Sequence, residues 1–162
     1  MAEGSINLHD HREGNIERDV DFDLGETDEG LAAADLIMEE TYNCAEVAQV
    51  QSEPHAAIAE YDAIRDFMTV RASTQVPYYG HKMLAKTLKM EESKVRMIKP
   101  FVGGGFGCRT ECLNVELICA LVARAAKGTV RIVTSREETF ITHRGRPETG
   151  VEMKIGIKKN GV

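Results

Sequence analysis

The sequence predicts an α+β fold, a two-layer sandwich in which a mixed β-sheet carries its helices on one face. Three observations lead there. Residues 56–61 and 67–72 read as short strands on either side of a polar turn at 62–66. Tyr78, Met83, Leu84 and Leu88 recur at helical spacing behind Pro77, which sits where a helix can begin. A short strand at 95–98 then runs into clustered glycines, a helical stretch follows, and a further strand comes after Gly128. The central order is β-β-α-β-α-β, followed by a short helix and a last strand.

Residues 1–24 are polar and acidic, carry His9 and His11, and show no sustained period, so they read as an extended or poorly ordered lead-in. Thr27 or Asp28 can cap a short helix over 29–34, where Leu31-Ala-Ala-Ala34 favours helix. Leu36 to Val50 reads as one long strand, bulged near Asn43 and Cys44, and Pro54 breaks it. The helix of about 110–126 places Leu113, Leu117, Ile118, Leu121 and Val122 on a stripe that should face the sheet. Ser135-Arg-Glu-Glu138 is a capping box that opens a short helix, and Val151, Met153, Ile155 and Ile157 alternate as the last strand. Asn160-Gly161 is a hairpin-type turn with no return strand after it, which leads us to expect a piece of a longer protein.

Composition narrows the function. A net charge of −6, with no basic stripe interleaved with aromatics, argues against a nucleic-acid surface. The longest apolar run, Leu117 to Ala126, is interrupted by Arg124 and falls short of the ~18 residues of a membrane span, and no targeting segment is visible. A cytoplasmic location is the expectation. Cys44, Cys108, Cys112 and Cys119 lack the close pairs of zinc or iron–sulfur sites and read as small buried hydrophobes. No residue is assigned as a metal ligand.

The glycine loop is the strongest chemical signal. Strand, loop and helix in that order would gather backbone N–H groups and a positive helix end, a ready anion site. Gly103-x-Gly105 begins a dinucleotide fingerprint whose third glycine would fall at Cys108. Gly103 to Thr110 approaches a P-loop, but Cys108 replaces its glycine and Arg109 its lysine. Four glycines in five positions around Phe106 point to a backbone that closely approaches a ligand, with a nucleotide- or phosphate-binding module as the alternative reading.

Taken together, Gly25-Glu26, Leu31-Ala-Ala-Ala-Asp35, Glu53-Pro-His-Ala-Ala57, Ser73-Thr-Gln75, Val102-Gly-Gly-Gly-Phe-Gly107, Arg136-Glu-Glu138 and Arg146-Pro147 resemble the molybdenum-binding subunit of the xanthine dehydrogenase and aldehyde oxidase family. Pro100-Phe-Val-Gly-Gly-Gly-Phe-Gly-Cys-Arg-Thr-Glu111, Asn114-Val-Glu-Leu117 and Thr142-His-Arg-Gly-Arg-Pro147 look most like its 4-hydroxybenzoyl-CoA reductase branch. The resemblance implies that residues 25–162 are part of a molybdopterin-binding domain and that Gly104, Gly105, Phe106 and Gly107 touch a molybdopterin cytosine dinucleotide cofactor carrying molybdenum. It gives Gln75 and Phe106 places beside the reacting centre, with the Gln75 amide donating toward the apical oxo ligand. It also implies FAD and [2Fe-2S] centres on partner subunits, contact with the remainder of the same large subunit, and an aromatic CoA thioester as the small-molecule substrate.

Purine-hydroxylating relatives commonly carry Gly-Lys-Glu after the loop. Here Cys108-Arg109-Thr110 stands instead, which argues against a purine. The family's general base is expected beyond Val162, and the isolated chain is expected to be inactive. His55 reads as a packed residue, Arg144 and Arg146 as surface charges that could face an acidic substrate, and Glu137 and Glu138 as helix-capping groups.

Overall fold

The computed structural model describes residues 6–12, 14–142 and 144–161. His143, within the Thr142–Pro147 motif, lies outside the described residues. In chain order the elements are α1 (Thr27–Ala32), β1 (Leu36–Cys44), β2 (Ala56–Asp62), β3 (Phe67–Ala72), α2 (Pro77–Leu88), a 3₁₀ turn (Glu92–Lys94), β4 (Val95–Ile98), α3 (Asn114–Ala126), β5 (Thr129–Val133), α4 (Arg136–Thr142) and β6 (Thr149–Ile157). No helix or strand forms in the described residues before α1. Among the described residues no helix is long and apolar enough to cross a membrane.

Two compact units result, one built from the described residues of Met1–Tyr42 and Gly150–Val162, the other from Asn43–Thr149. In the first, β1 and β6 pair as a two-stranded sheet. α1 leads into it, with the Asp35 N–H bonded to the Ile157 carbonyl at 3.1 Å and the Asp35 carboxylate accepting the Lys159 N–H at 2.8 Å. Gly156 is needed there: a Cβ at this position would stand 2.9 Å from the Ala34 Cβ.

The second unit realises the predicted mixed sheet with helices on one face. Its strand order is β4-β3-β2-β5, with β2 antiparallel to both β3 and β5, and β3 parallel to β4 across the α2 crossover. Asp62 accepts the Ile64 and Arg65 N–H groups at 3.0 and 3.1 Å and so closes the β2–β3 turn. Alternate residues Ala57 and Ala59 of β2, and Met68, Val70 and Ala72 of β3, face Leu84, Ala85 and Leu88 of α2 and Cys119, Ala120 and Ala123 of α3 in one buried cluster.

Three local features differ from the sequence reading. The first strand stops at Cys44, and Val47 makes only an isolated antiparallel bridge to Arg146. α3 starts at Asn114, after an irregular stretch from Cys108 to Leu113. The stripe chosen for burial on α3 is displaced: Ile118, Leu121 and Val122 are exposed, while the small residues Cys119, Ala120 and Ala123 meet the sheet. Alanines on both β2 and α3 allow a close approach of helix to strand, and Cys119 completes it by donating its thiol to the Ala57 and Val130 carbonyls at 3.5 and 3.3 Å.

Candidate functional site

All the residues singled out around the glycines lie in the Asn43–Thr149 unit. The loop leaves β4 through Pro100 and turns through left-handed backbone at Gly104 (φ 98°), Phe106 (φ 50°) and Gly107 (φ 99°). A phenylalanine at positive φ is uncommon and marks a site where the surroundings over-determine the backbone. The Phe106 ring folds back on the loop, so that a Cβ at Gly104 would lie 3.0 Å from its Cε2, yet the residue stays 65% exposed.

Gln75, just past the end of β3, is the residue the loop closes upon. Its Oε1 accepts the N–H of Gly107 at 2.9 Å and the N–H of Arg109 at 3.3 Å. A Cβ at Gly105 would fall 2.6 Å from both Cδ and Oε1 of Gln75, so any side chain there would push that amide out of its place against the loop. Two donors on one oxygen settle which way the amide points: its carbonyl faces the loop and its NH2 is left for other acceptors. At Gly107, by contrast, an added Cβ would meet nothing within 4 Å. The loop therefore has a filled inner side at Gly103 and Gly105 and an open outer side at Gly107.

An ion pair between a buried arginine and a half-buried glutamate underlies the loop. The Arg109 guanidinium is 1% exposed and stands 3.2 Å from the Glu53 carboxylate. It also donates to the carbonyls of Glu53 (2.6 Å), Pro54 (3.3 Å) and Ser73 (3.4 Å). Glu53 in turn accepts the Ser73 hydroxyl and the Gly103 N–H. Burial alone pushes the Glu53 carboxyl up, but the Ser73 hydroxyl, the Gly103 N–H and the Arg109 charge together hold it below the usual carboxylate range. The main chain of Arg109 is equally committed, its carbonyl accepting the Gln75 N–H at 2.9 Å and the Thr74 hydroxyl at 3.2 Å.

Sequence reasoning noticed Arg109 only as a departure and Glu53 only within a motif. The signal lay in the pairing of a glutamate ahead of β2 with an arginine at the end of the loop. It is invisible locally because the two are joined only by the fold. The structure brings Gln75, Gly104, Gly105, Phe106 and Gly107 together as expected. It leaves the other candidates apart: His55 is buried and tied through its carbonyl to the Thr134 N–H at 2.9 Å. Glu138 closes the capping box with Ser135 through bonds of 2.7 and 3.1 Å.

The phosphate-nest alternative finds no support in the same geometry. The N–H groups of Gly103, Gly107 and Arg109 are spent on Glu53 and Gln75, and an anion arriving at Gly103 would meet a carboxylate. The helix end is not available either. Glu116, inside the first turn of α3, is buried and accepts the Leu113 N–H at 2.9 Å. Burial raises its carboxyl despite bonds from Cys112 and Leu113 and the Arg109 charge.

Beside the open side of the loop lies a cleft of about 330 Å³ whose walls include Gln49, Phe106, Gly107, Thr110, Arg144 and Arg146. Arg144 is bonded to Glu111 at 3.0 Å across its rim. Gln49 Oε1, and both amide atoms of the 2%-exposed Gln51, are buried without a hydrogen-bond partner among the described residues. Gln51 lies directly under the loop, its Cβ 3.4 Å from where a Gly104 Cβ would stand. Unspent buried amides need polar partners. With the Gln75 NH2 and a loop edge that lacks side chains, they suit a polar organic cofactor of many donors and acceptors.

Comparison with known proteins agrees with that fit. The chain is 36% identical over 147 residues to the probable hypoxanthine oxidase XdhD of Escherichia coli (strain K12), covering 91% of this chain and 15% of the relative. It is 33% identical over 151 residues to the nicotinate dehydrogenase large molybdopterin subunit of Eubacterium barkeri, covering 93% of this chain and 35% of the relative. Among solved structures, the aldehyde oxidoreductase from Desulfovibrio gigas shares the fold, with a TM-score of 0.77 at 19% identity over 84% of this chain and 15% of that one. The chain thus spans only a minor part of these relatives. The family described as the molybdopterin cofactor-binding domain matches residues 8–162, and the chain belongs to it.

Proposed function

We propose that this chain supplies the glycine-loop part of the cofactor pocket in a molybdenum-dependent oxidoreductase of the xanthine dehydrogenase and aldehyde oxidase type. The observation that carries the proposal is the orientation of Gln75: the loop grips its carbonyl oxygen through the Gly107 and Arg109 N–H groups and leaves its NH2 uncommitted. In this reading Gln75 donates to the cofactor, Gly104, Gly105 and Gly107 let the backbone approach it, and the exposed Phe106 ring shields the reacting side from water. When bound, the molybdenum cofactor, in its molybdopterin cytosine dinucleotide form, supplies two-electron exchange with the substrate. FAD and [2Fe-2S] centres on partner subunits in the cytoplasm would exchange those electrons with it, in either direction. The general base belongs to the remainder of the large subunit.

For the substrate, the loop variant ending Cys108-Arg109-Thr110 supports an aromatic ring presented as a CoA thioester, with Arg144 and Arg146 at the cleft available to its acidic groups. A second reading, a free heteroaromatic ring, is favoured by the names of two relatives, a probable hypoxanthine oxidase and a nicotinate dehydrogenase. Steady-state assays of the holoenzyme with 4-hydroxybenzoyl-CoA, hypoxanthine and nicotinate separate the two. The cofactor assignment is tested by the molybdenum and pterin content of the holoenzyme carrying Gly105→Ala or Gln75→Ala. Loss of either component or of turnover is expected, and full content with unchanged turnover in both variants overturns the assignment. The isolated 162 residues should show no substrate-dependent dye reduction.

A further inference from the structure

We infer that Arg109, with Glu53 as its counter-charge, is a positioning residue that sets the direction in which Gln75 presents its NH2. The inference rests on the reading of Gln75 as a cofactor contact.

Two sets of bonds meet in Arg109. Its guanidinium holds the segment ahead of β2, through the Glu53 and Pro54 carbonyls and the Glu53 carboxylate, and the end of β3 through the Ser73 carbonyl. Its main chain clasps Gln75 from both sides, the carbonyl accepting the Gln75 N–H and the N–H donating to Gln75 Oε1. Where the guanidinium is anchored therefore decides where the clasp stands. Glu53 extends the control to the other end of the loop, because the carboxylate that faces Arg109 also takes the Gly103 N–H. One ion pair thus fixes the start and the finish of the glycine loop, with Gly105 pressed against Gln75 between them.

A lysine cannot reproduce this arrangement. The planar fork of arginine reaches three carbonyls and a carboxylate at once, whereas an ammonium is a compact point charge with three donors. Among the described residues Glu53 is the one carboxylate in ion-pair contact with the fork, and the Ser73 hydroxyl and Gly103 N–H occupy that carboxylate's other positions.

The test is a double-mutant cycle in the holoenzyme with Arg109→Lys and Gln75→Ala, read by kcat, KM and the electron paramagnetic resonance signal of the molybdenum centre. Acting through Gln75, Arg109→Lys should lower kcat about 10- to 100-fold while KM stays within about twofold. It should alter the resonance signal in the same direction as Gln75→Ala, and the double variant should lose little beyond Gln75→Ala alone. Glu53→Gln, of equal size and still able to meet Ser73, should reproduce the effect and serves if the lysine variant does not fold. Wild-type kcat and signal in Arg109→Lys or Glu53→Gln, or losses that multiply in the double variant, overturn the inference while leaving Gln75 as a cofactor contact. A silent Gln75→Ala overturns that contact itself.

Discussion

Two arginine–glutamate pairs border the glycine loop at nearly the same separation, 3.2 Å for Arg109–Glu53 and 3.0 Å for Arg144–Glu111. The first has side chains 1% and 28% exposed, the second 80% and 58%. Water around Arg144 and Glu111 already solvates both charges, so their contact contributes about 0–1 kcal/mol. Arg109 has given up that water for three carbonyls and the Glu53 carboxylate, while the half-buried Glu53 accepts a hydroxyl and a backbone N–H besides. Breaking a pair of this kind costs far more than making it contributes, since the surviving partner is left desolvated. Surroundings, and not distance, separate a structural lock from a surface contact.

The contrast can be broken most forcefully at Arg109. Arg109→Met should lower the unfolding free energy by about 3–5 kcal/mol in urea denaturation. Next in size is Gly105→Ala, whose Cβ would arrive 2.6 Å from Gln75. Overpacking of this sort costs about 1–3 kcal/mol, and chemical denaturation of the variant measures it. Gly107→Ala sharpens the point because its Cβ meets open space: its cost, about 1–2 kcal/mol, comes from the left-handed backbone alone. Smallest is Arg144→Ala, expected to cost less than about 1 kcal/mol.

Acid separates the pairs in another way. Since the folded protein holds the Glu53 carboxyl below its ordinary value, its contribution is present above the unfolded carboxylate range, about pH 4.3. It is lost as pH falls through the lowered folded value. Urea midpoints followed downward from pH 7 should therefore drop less steeply in Glu53→Gln than in the wild type.

The order of elements was legible because periodicity and turn residues are local signals: the Ser135–Glu138 capping box and the polar β2–β3 turn form where they were read. The glycine loop and Gln75 were legible as a group for the same reason, each carrying a distinctive residue type. Three features were not. Arg109 stands out in the sequence only as a departure from the loop patterns, and the long-range approach of the segment ahead of β2 is what makes it a buried cation. On α3 the large apolar residues mark the wrong face, because the sheet accepts alanines at close approach and leaves Ile118 and Leu121 outward. β1 and β6 carry strand patterns without any indication that each is the other's partner, more than a hundred positions away in the chain.

The cysteines also differ widely in burial: Cys44 is exposed, Cys112 half-buried, and Cys108 and Cys119 buried. Alkylating reagents consume the thiolate, and burial, reinforced by the neighbouring Glu116, pushes the Cys112 thiol up, while burial alone does the same for Cys119. Cys44 should consequently be labelled within the native ensemble, and Cys119 only in molecules whose α3 has lifted from β2. The ratio of those two labelling rates under mild conditions is a built-in gauge of how often the helix layer opens.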